Sequence, residues 1–171
     1  LGLRTPSRTM WRATCALLLL GLAACTRTPP PLANTFDSSG ALATAVLAAV
    51  VAGDQARLAS LALSEREFRD HIWPDLPAAR PERNLPFSYV WGDLQQKSDA
   101  GRRAVVAQYR GRAMALVDVR FGEVATYGRY GVHRDAVFAV RNGEGTTEEV
   151  RVCGSMVQLD GRWKVFSYIA G

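Results

Sequence analysis

Apolar residues between Ala41 and Arg110 recur at the spacing of helices, and from Ala113 onward the spacing falls to two, the period of strands. The first helical stretch, ALATAVLAAVVAG, puts Leu42, Val46, Ala49 and Val50 on one face. It is apolar nearly all round, which predicts a buried helix, with Asp37, Ser38 and Ser39 offering capping oxygens and Gly53 the stop. Asp54 can cap a second helix, QARLASLAL, and Ser64 with Glu67 forms a capping box for a third, EREFRDHIW, ended by Pro74. Residues 74–86 carry four prolines and read as an ordered loop. Phe87, Val90, Trp91 and Leu94 then return to helical spacing, and Ser98 can cap the continuation DAGRRAVVAQYR; Gly92 and Gly101 weigh against one unbroken helix.

Four strand segments follow, at 114–121, 131–140, 147–158 and 163–169. Asn142-Gly143, Glu144-Gly145 and Asp160-Gly161 are hairpin signals between consecutive segments, so a meander is the economical topology. In the first segment Ala113, Ala115, Val117, Val119 and Phe121 alternate with Met114, Leu116, Asp118 and Arg120, which predicts one apolar and one half-polar face. The last segment is apolar on both faces, as expected of a central strand or one wrapped around a helix.

Composition adds a leader to this α+β domain. Of 171 residues 48% are hydrophobic and 22% charged, a globular balance. Met10, Trp11 and Arg12 precede a charge-free run from Ala13 to Ala24, whose 12 residues fall short of the ~20 that a membrane-spanning helix needs. The run closes on Leu22-Ala23-Ala24-Cys25, which resembles the lipobox of bacterial lipoproteins. That resemblance implies removal of residues 1–24 as a signal peptide and acylation of Cys25, where each buried methylene contributes about 0.8 kcal/mol of membrane affinity. In Gram-negative lipoproteins an Asp after the cysteine marks inner-membrane retention, so Thr26 points to the outer membrane, facing the periplasm. Residues 25–36, with three consecutive prolines, read as an extended tether, and 37–171 as the domain.

Processing changes the electrostatics as well. The chain carries +5, but removing Arg4, Arg8 and Arg12 leaves 18 basic against 16 acidic side chains, a net +2 too weak to imply nucleic acid. With Cys15 lost and Cys25 acylated, Cys153 has no partner for a disulfide and reads as a small buried strand residue.

Helices first, then an antiparallel sheet ending in QLDGRWKVFSY, resemble the NTF2-like (SnoaL-like) superfamily, whose terminal strand pair is matched by Asp160-Gly161-Arg162-Trp163-Lys164-Val165 with Tyr168. The resemblance implies N-terminal helices packed on a curved four-stranded antiparallel sheet, a cone with a pocket at its open end. The family often has a short strand among its first helices, where this chain has a proline-rich loop.

Candidate chemistry is sparse. Asp118 and Arg120 share one strand face, as do His133 and Asp135. A hairpin closing near the middle of 123–130 would set Arg120 opposite His133 and Asp118 opposite Asp135, a grouping suited to general acid/base catalysis. Tyr127 and Tyr130, in TYGRYG, with Trp91 and Tyr168, are candidates for lining a ligand pocket. The only two histidines, His71 and His133, lie far apart in sequence with no cysteine partner, so no metal site is expected, and no cofactor-binding or nucleophile motif occurs. Three readings stand at this point: a lipid-anchored domain binding a small apolar ligand or an envelope partner, an acid/base enzyme using the Asp/Arg/His set, and a module that homodimerises through its sheet.

Overall fold

The computed structural model describes Gly2 and residues 28–169. The leader, Cys25 and the last two residues lie outside them. Among the described residues four α-helices precede seven strands. Helix α1 (Ser39–Ala52) is capped by Ser38, whose Oγ accepts from the Ala41 amide at 3.1 Å, and is stopped by Gly53 at φ 72°. Helix α2 (Gln55–Leu61) starts on Asp54. Helix α3 (Glu65–Glu67) carries the expected capping box and runs on as a π turn over Phe68–Ile72. The proline segment folds into three short 3-10 turns, in which the prolines take first or second positions and no backbone donor is wasted.

Helix α4 (Phe87–Tyr109) is unbroken across 23 residues, contrary to the break expected from its glycines. Gly101 is there for close packing. A Cβ on it would sit 2.8 Å from the Tyr168 carbonyl. Ser98, one turn earlier, is no cap; its Oγ accepts from the Tyr168 amide at 3.0 Å. Together they let the end of the chain lie directly on the helix.

The strands are β1 (Met114–Arg120), β2 (Glu123–Tyr127), β3 (Tyr130–Arg134), β4 (Val137–Asn142), β5 (Thr147–Val150), β6 (Cys153–Leu159) and β7 (Arg162–Tyr168). They form two antiparallel sheets, β1-β4-β5 and β2-β3-β6-β7, rather than one four-stranded sheet. The physical reason is a corner in each of the first three expected segments. Asp135, at φ 52°, turns β3 into β4, a left-handed position that Asp tolerates better than most residues. Residues 121–122 and 151–152 break the neighbouring ribbons at the same level. Pairing between the first two ribbons keeps one register through the corner, from Asp118↔Ala139 to Tyr127↔Tyr130. The consecutive-hairpin meander therefore survives, folded over on itself.

Two register expectations fail. Residues 123–127 are strand, and the hairpin closes tightly on Gly128-Arg129, with Gly128 at φ 50°. Arg120 is thus opposite Val137, Asp118 opposite Ala139, and His133 opposite Val124. In β1 a bulge between Leu116 and Asp118 switches the inward phase. Met114 and Leu116 pack on the core before it and Val119 and Phe121 after it, while Val117 is left 52% exposed.

Most of the core lies between α1, α2, α4 and the sheets, centred on fully buried Leu42, Val46, Val50, Phe138 and Val140. A second cluster gathers Phe68, Ile72, Tyr130 and Val157 under α3 and the start of α4. Strand β7 is an edge strand by sheet order, not a central one, yet its edge is covered. Ala62 bridges Val165 in parallel, and Phe36 exchanges both backbone hydrogen bonds with Trp163.

That second bridge moves the start of the fold to before Asp37. Residues 33–36, read as part of a free tether, are docked by backbone groups. The Ala33 amide donates to Glu67 and its carbonyl accepts from Lys164 Nζ at 2.7 Å, while Arg162 donates to Thr35. Lys164 is 2% exposed and holds both Glu67 carboxylate oxygens at 2.9 Å. Burial alone would raise the Glu67 pKa; the bonds from Lys164 and from the Ser64 and Ala33 amides outweigh it and hold the carboxyl below its ordinary value. A depressed carboxyl pKa contributes stability that is present above the unfolded value, near 4.5, and lost as pH falls through the folded value. Denaturant midpoints measured between pH 7 and pH 3 should therefore fall below pH 4.5, and the fall should be shallower in Glu67→Gln.

Candidate functional site

A cavity of about 280 Å³ opens between α2, α3 and α4, with the end of β7 as its floor. Trp91 and Leu94 on α4, Ala62 and Leu63 after α2, and Phe166 on β7 supply apolar walls. Their placement follows from the fold. Trp91 and Leu94 lie one turn apart on the face of α4 that meets the second core cluster, and Phe166 reaches the same cluster from the sheet.

Ser98, Asp99 and Arg102 add polar groups from α4, and Ser64, Glu65 and Gln95 line the cavity as well. Arg102 Nη2 bonds Asp99 at 3.1 Å across one helical turn, and Arg102 Nε is buried with no acceptor among the described residues. Tyr168 lines the cavity too, but its hydroxyl is committed, donating to the Leu58 carbonyl at 2.8 Å. Burial raises its pKa well above that of free tyrosine, so it stays protonated and acts as a wall.

Two of the four expected pocket aromatics, Trp91 and Tyr168, thus share one cavity. The other two do not join them. Tyr130 is 1% exposed, and its hydroxyl donates to the Ile72 carbonyl at 2.8 Å. Its pKa is raised, chiefly by burial. Tyr127 stacks on it with ring centroids 5.6 Å apart and accepts from Arg134 at 3.0 Å. The pair packs the β2–β3 turn against α3.

The Asp/Arg/His set is dispersed. Arg120 pairs with Glu149 on exposed strand surface, Asp118 is exposed, and Asp135 occupies the corner. His133 is half-buried in a cluster with Phe121 and Trp163, at 5.1 and 4.4 Å, and those two rings stack on each other at 5.9 Å. Burial there pushes its pKa below the ordinary histidine value, against a hydrogen bond with Gln158 that raises it. Cys153 is fully buried, which pushes its thiol pKa up and leaves it a packing residue.

Two features of the site escaped sequence reasoning. In the sequence Arg102 stands only as part of the helical continuation DAGRRAVVAQYR, and Lys164 only as a strand residue of the closing hairpin. Arg102 shares a helical face with Trp91, Leu94 and Ser98, which was a usable signal; nothing local marks the partnership of Lys164 with Glu67, 97 positions away. Comparison of the chain with family models, with curated proteins and with solved structures found no match in any of the three.

Proposed function

We propose that this chain is a lipid-anchored extracytoplasmic binding protein whose α4–β7 cavity takes a small, largely apolar molecule with one polar end. The cavity carries the reading. Its walls include Trp91, Leu94 and Phe166, and among its polar groups is an arginine with an unpartnered donor, one turn from Ser98. Apolar walls combined with convergent polar groups are what small-molecule sites use. The anchor rests on the LAAC motif at 22–25 and the apolar run before it. Helices followed by a folded antiparallel meander support an NTF2-like cone. The enzyme reading is not favoured, because Asp118, Arg120 and Asp135 face solvent with separate neighbours.

Native mass spectrometry of the chain extracted from its host membrane should show an adduct of one apolar small molecule. Substituting Leu94→Arg fills the cavity with a charge and should abolish the adduct while leaving the fold intact, since Leu94 is only partly buried. An adduct that persists in Leu94→Arg at wild-type occupancy would remove the cavity as its site.

A further inference from the structure

The proline segment has a second consequence, one that rests on the acylation of Cys25. Docking extends upstream of residue 33. Leu32 packs on the second core cluster, and His71 donates from Nε2 to the Pro30 carbonyl at 2.7 Å. Thr28, Pro29 and Pro31 form one wall of a groove of about 480 Å³, which Leu159, Arg129 and Asp160 close from the sheet. Thr28, on the wall of this groove, is only three residues after Cys25. Three residues span at most about 10 Å when fully extended. A flexible tether of the full 25–36 length would have reached roughly four times as far by the same measure.

We propose that the end of the domain carrying Thr28, the Gly128–Arg129 turn and the Asp160–Gly161 turn rests on the bilayer surface. The lipid is held too close for the domain to ride free of the membrane or to tumble, and this is the end from which the anchor emerges. The contact does not depend on a charged membrane. Arg129 is paired with Asp160 and Arg162 with Asp37, so the cations there are matched by carboxylates. Along the same strand ribbons the β4–β5 turn around Glu144 lies at the far end from the Gly128–Arg129 turn, beyond the corner. In this arrangement the α4–β7 cavity lies on the body of the domain, away from the docked end; no residue lines both.

The test uses the full chain, processed in a bacterial host and reconstituted in phosphatidylcholine vesicles bearing a headgroup spin label. Arg129→Cys or Glu144→Cys supplies one exposed thiol for a fluorophore, the native Cys153 being buried and poorly ionised. Acylation is checked on the same samples by intact mass. The expected result is at least several-fold stronger quenching at 129 than at 144, and loss of that difference when a flexible Gly/Ser spacer of about ten residues is inserted after Thr26. An acylated chain quenched equally at both positions overturns the docked orientation and leaves the anchor standing. So does an acylated chain that stays in solution with its lipid sheltered in the groove. A chain with no acyl mass overturns both.

Discussion

Replacing Lys164 with Met should destabilise the domain by about 3–5 kcal/mol, the usual cost of removing one member of a buried ion pair. Methionine preserves the aliphatic stem and deletes only the charge. What it leaves is Glu67, 9% exposed, still accepting from the Ala33 and Ser64 amides but with no cation to balance it. The Ala33 carbonyl loses its donor at the same time, so the docked segment loosens with the core. Thermal unfolding should move down by about 10 °C for a domain of this size. The double variant Glu67→Gln with Lys164→Met should recover part of the loss, because no charge remains buried, although the single amide oxygen can accept from only one of the Ala33 and Ser64 amides. A single variant that unfolds at the wild-type temperature would mean that the pair is solvated in solution.

The second large effect concerns Phe68. It is 1% exposed, and its ring lies 5.3 Å from Trp91 and 6.0 Å from both Phe87 and Phe166, centroid to centroid. Phe68→Ala should cost about 3–5 kcal/mol, the transfer term plus the cavity left behind. Denaturant unfolding followed by tryptophan fluorescence reads this directly, since Trp91 and Trp73 both touch the lost ring. The new void would also adjoin the α4–β7 cavity, whose walls Trp91 and Phe166 are Phe68's neighbours. Bulkier apolar molecules should then bind relatively better, and should restore part of the lost stability through mass action.

These two residues mark where the sequence was and was not legible. Signals written within a few residues were read well: the Ser38 cap, the Gly53 stop, the Ser64/Glu67 box and the Asp160-Gly161 turn are all present. The strand ribbons were found where the period changed. Their corners were not, because a corner needs only one residue in an unusual conformation, and Asp135 looks like any other strand-face acid. A bulge is equally silent. One extra residue after Leu116 reversed the inward phase of β1, and the sequence alternates smoothly through it. The four-residue slip in the first hairpin followed from treating EVATY as loop, and it alone assembled the Asp/Arg/His set on paper.

Residues 33–36 were misread for a different reason. They dock through amides and carbonyls, which every residue owns, so no side-chain pattern announces them. The candidate site was half legible. Trp91 and Leu94 showed their helical face, and Tyr168 its place in the closing hairpin, whereas the meeting of α4 with β7 depends on Gly101 allowing backbone contact.

The central claim, a binding domain held at a membrane by Cys25, is tested most directly by the intact mass of the chain extracted from host membranes. The account predicts a polypeptide beginning at Cys25 and heavier by a diacylglyceryl group and a further acyl chain, with that added mass absent from Cys25→Ala. A chain that retains residues before Cys25, or that begins there without added lipid, would contradict it.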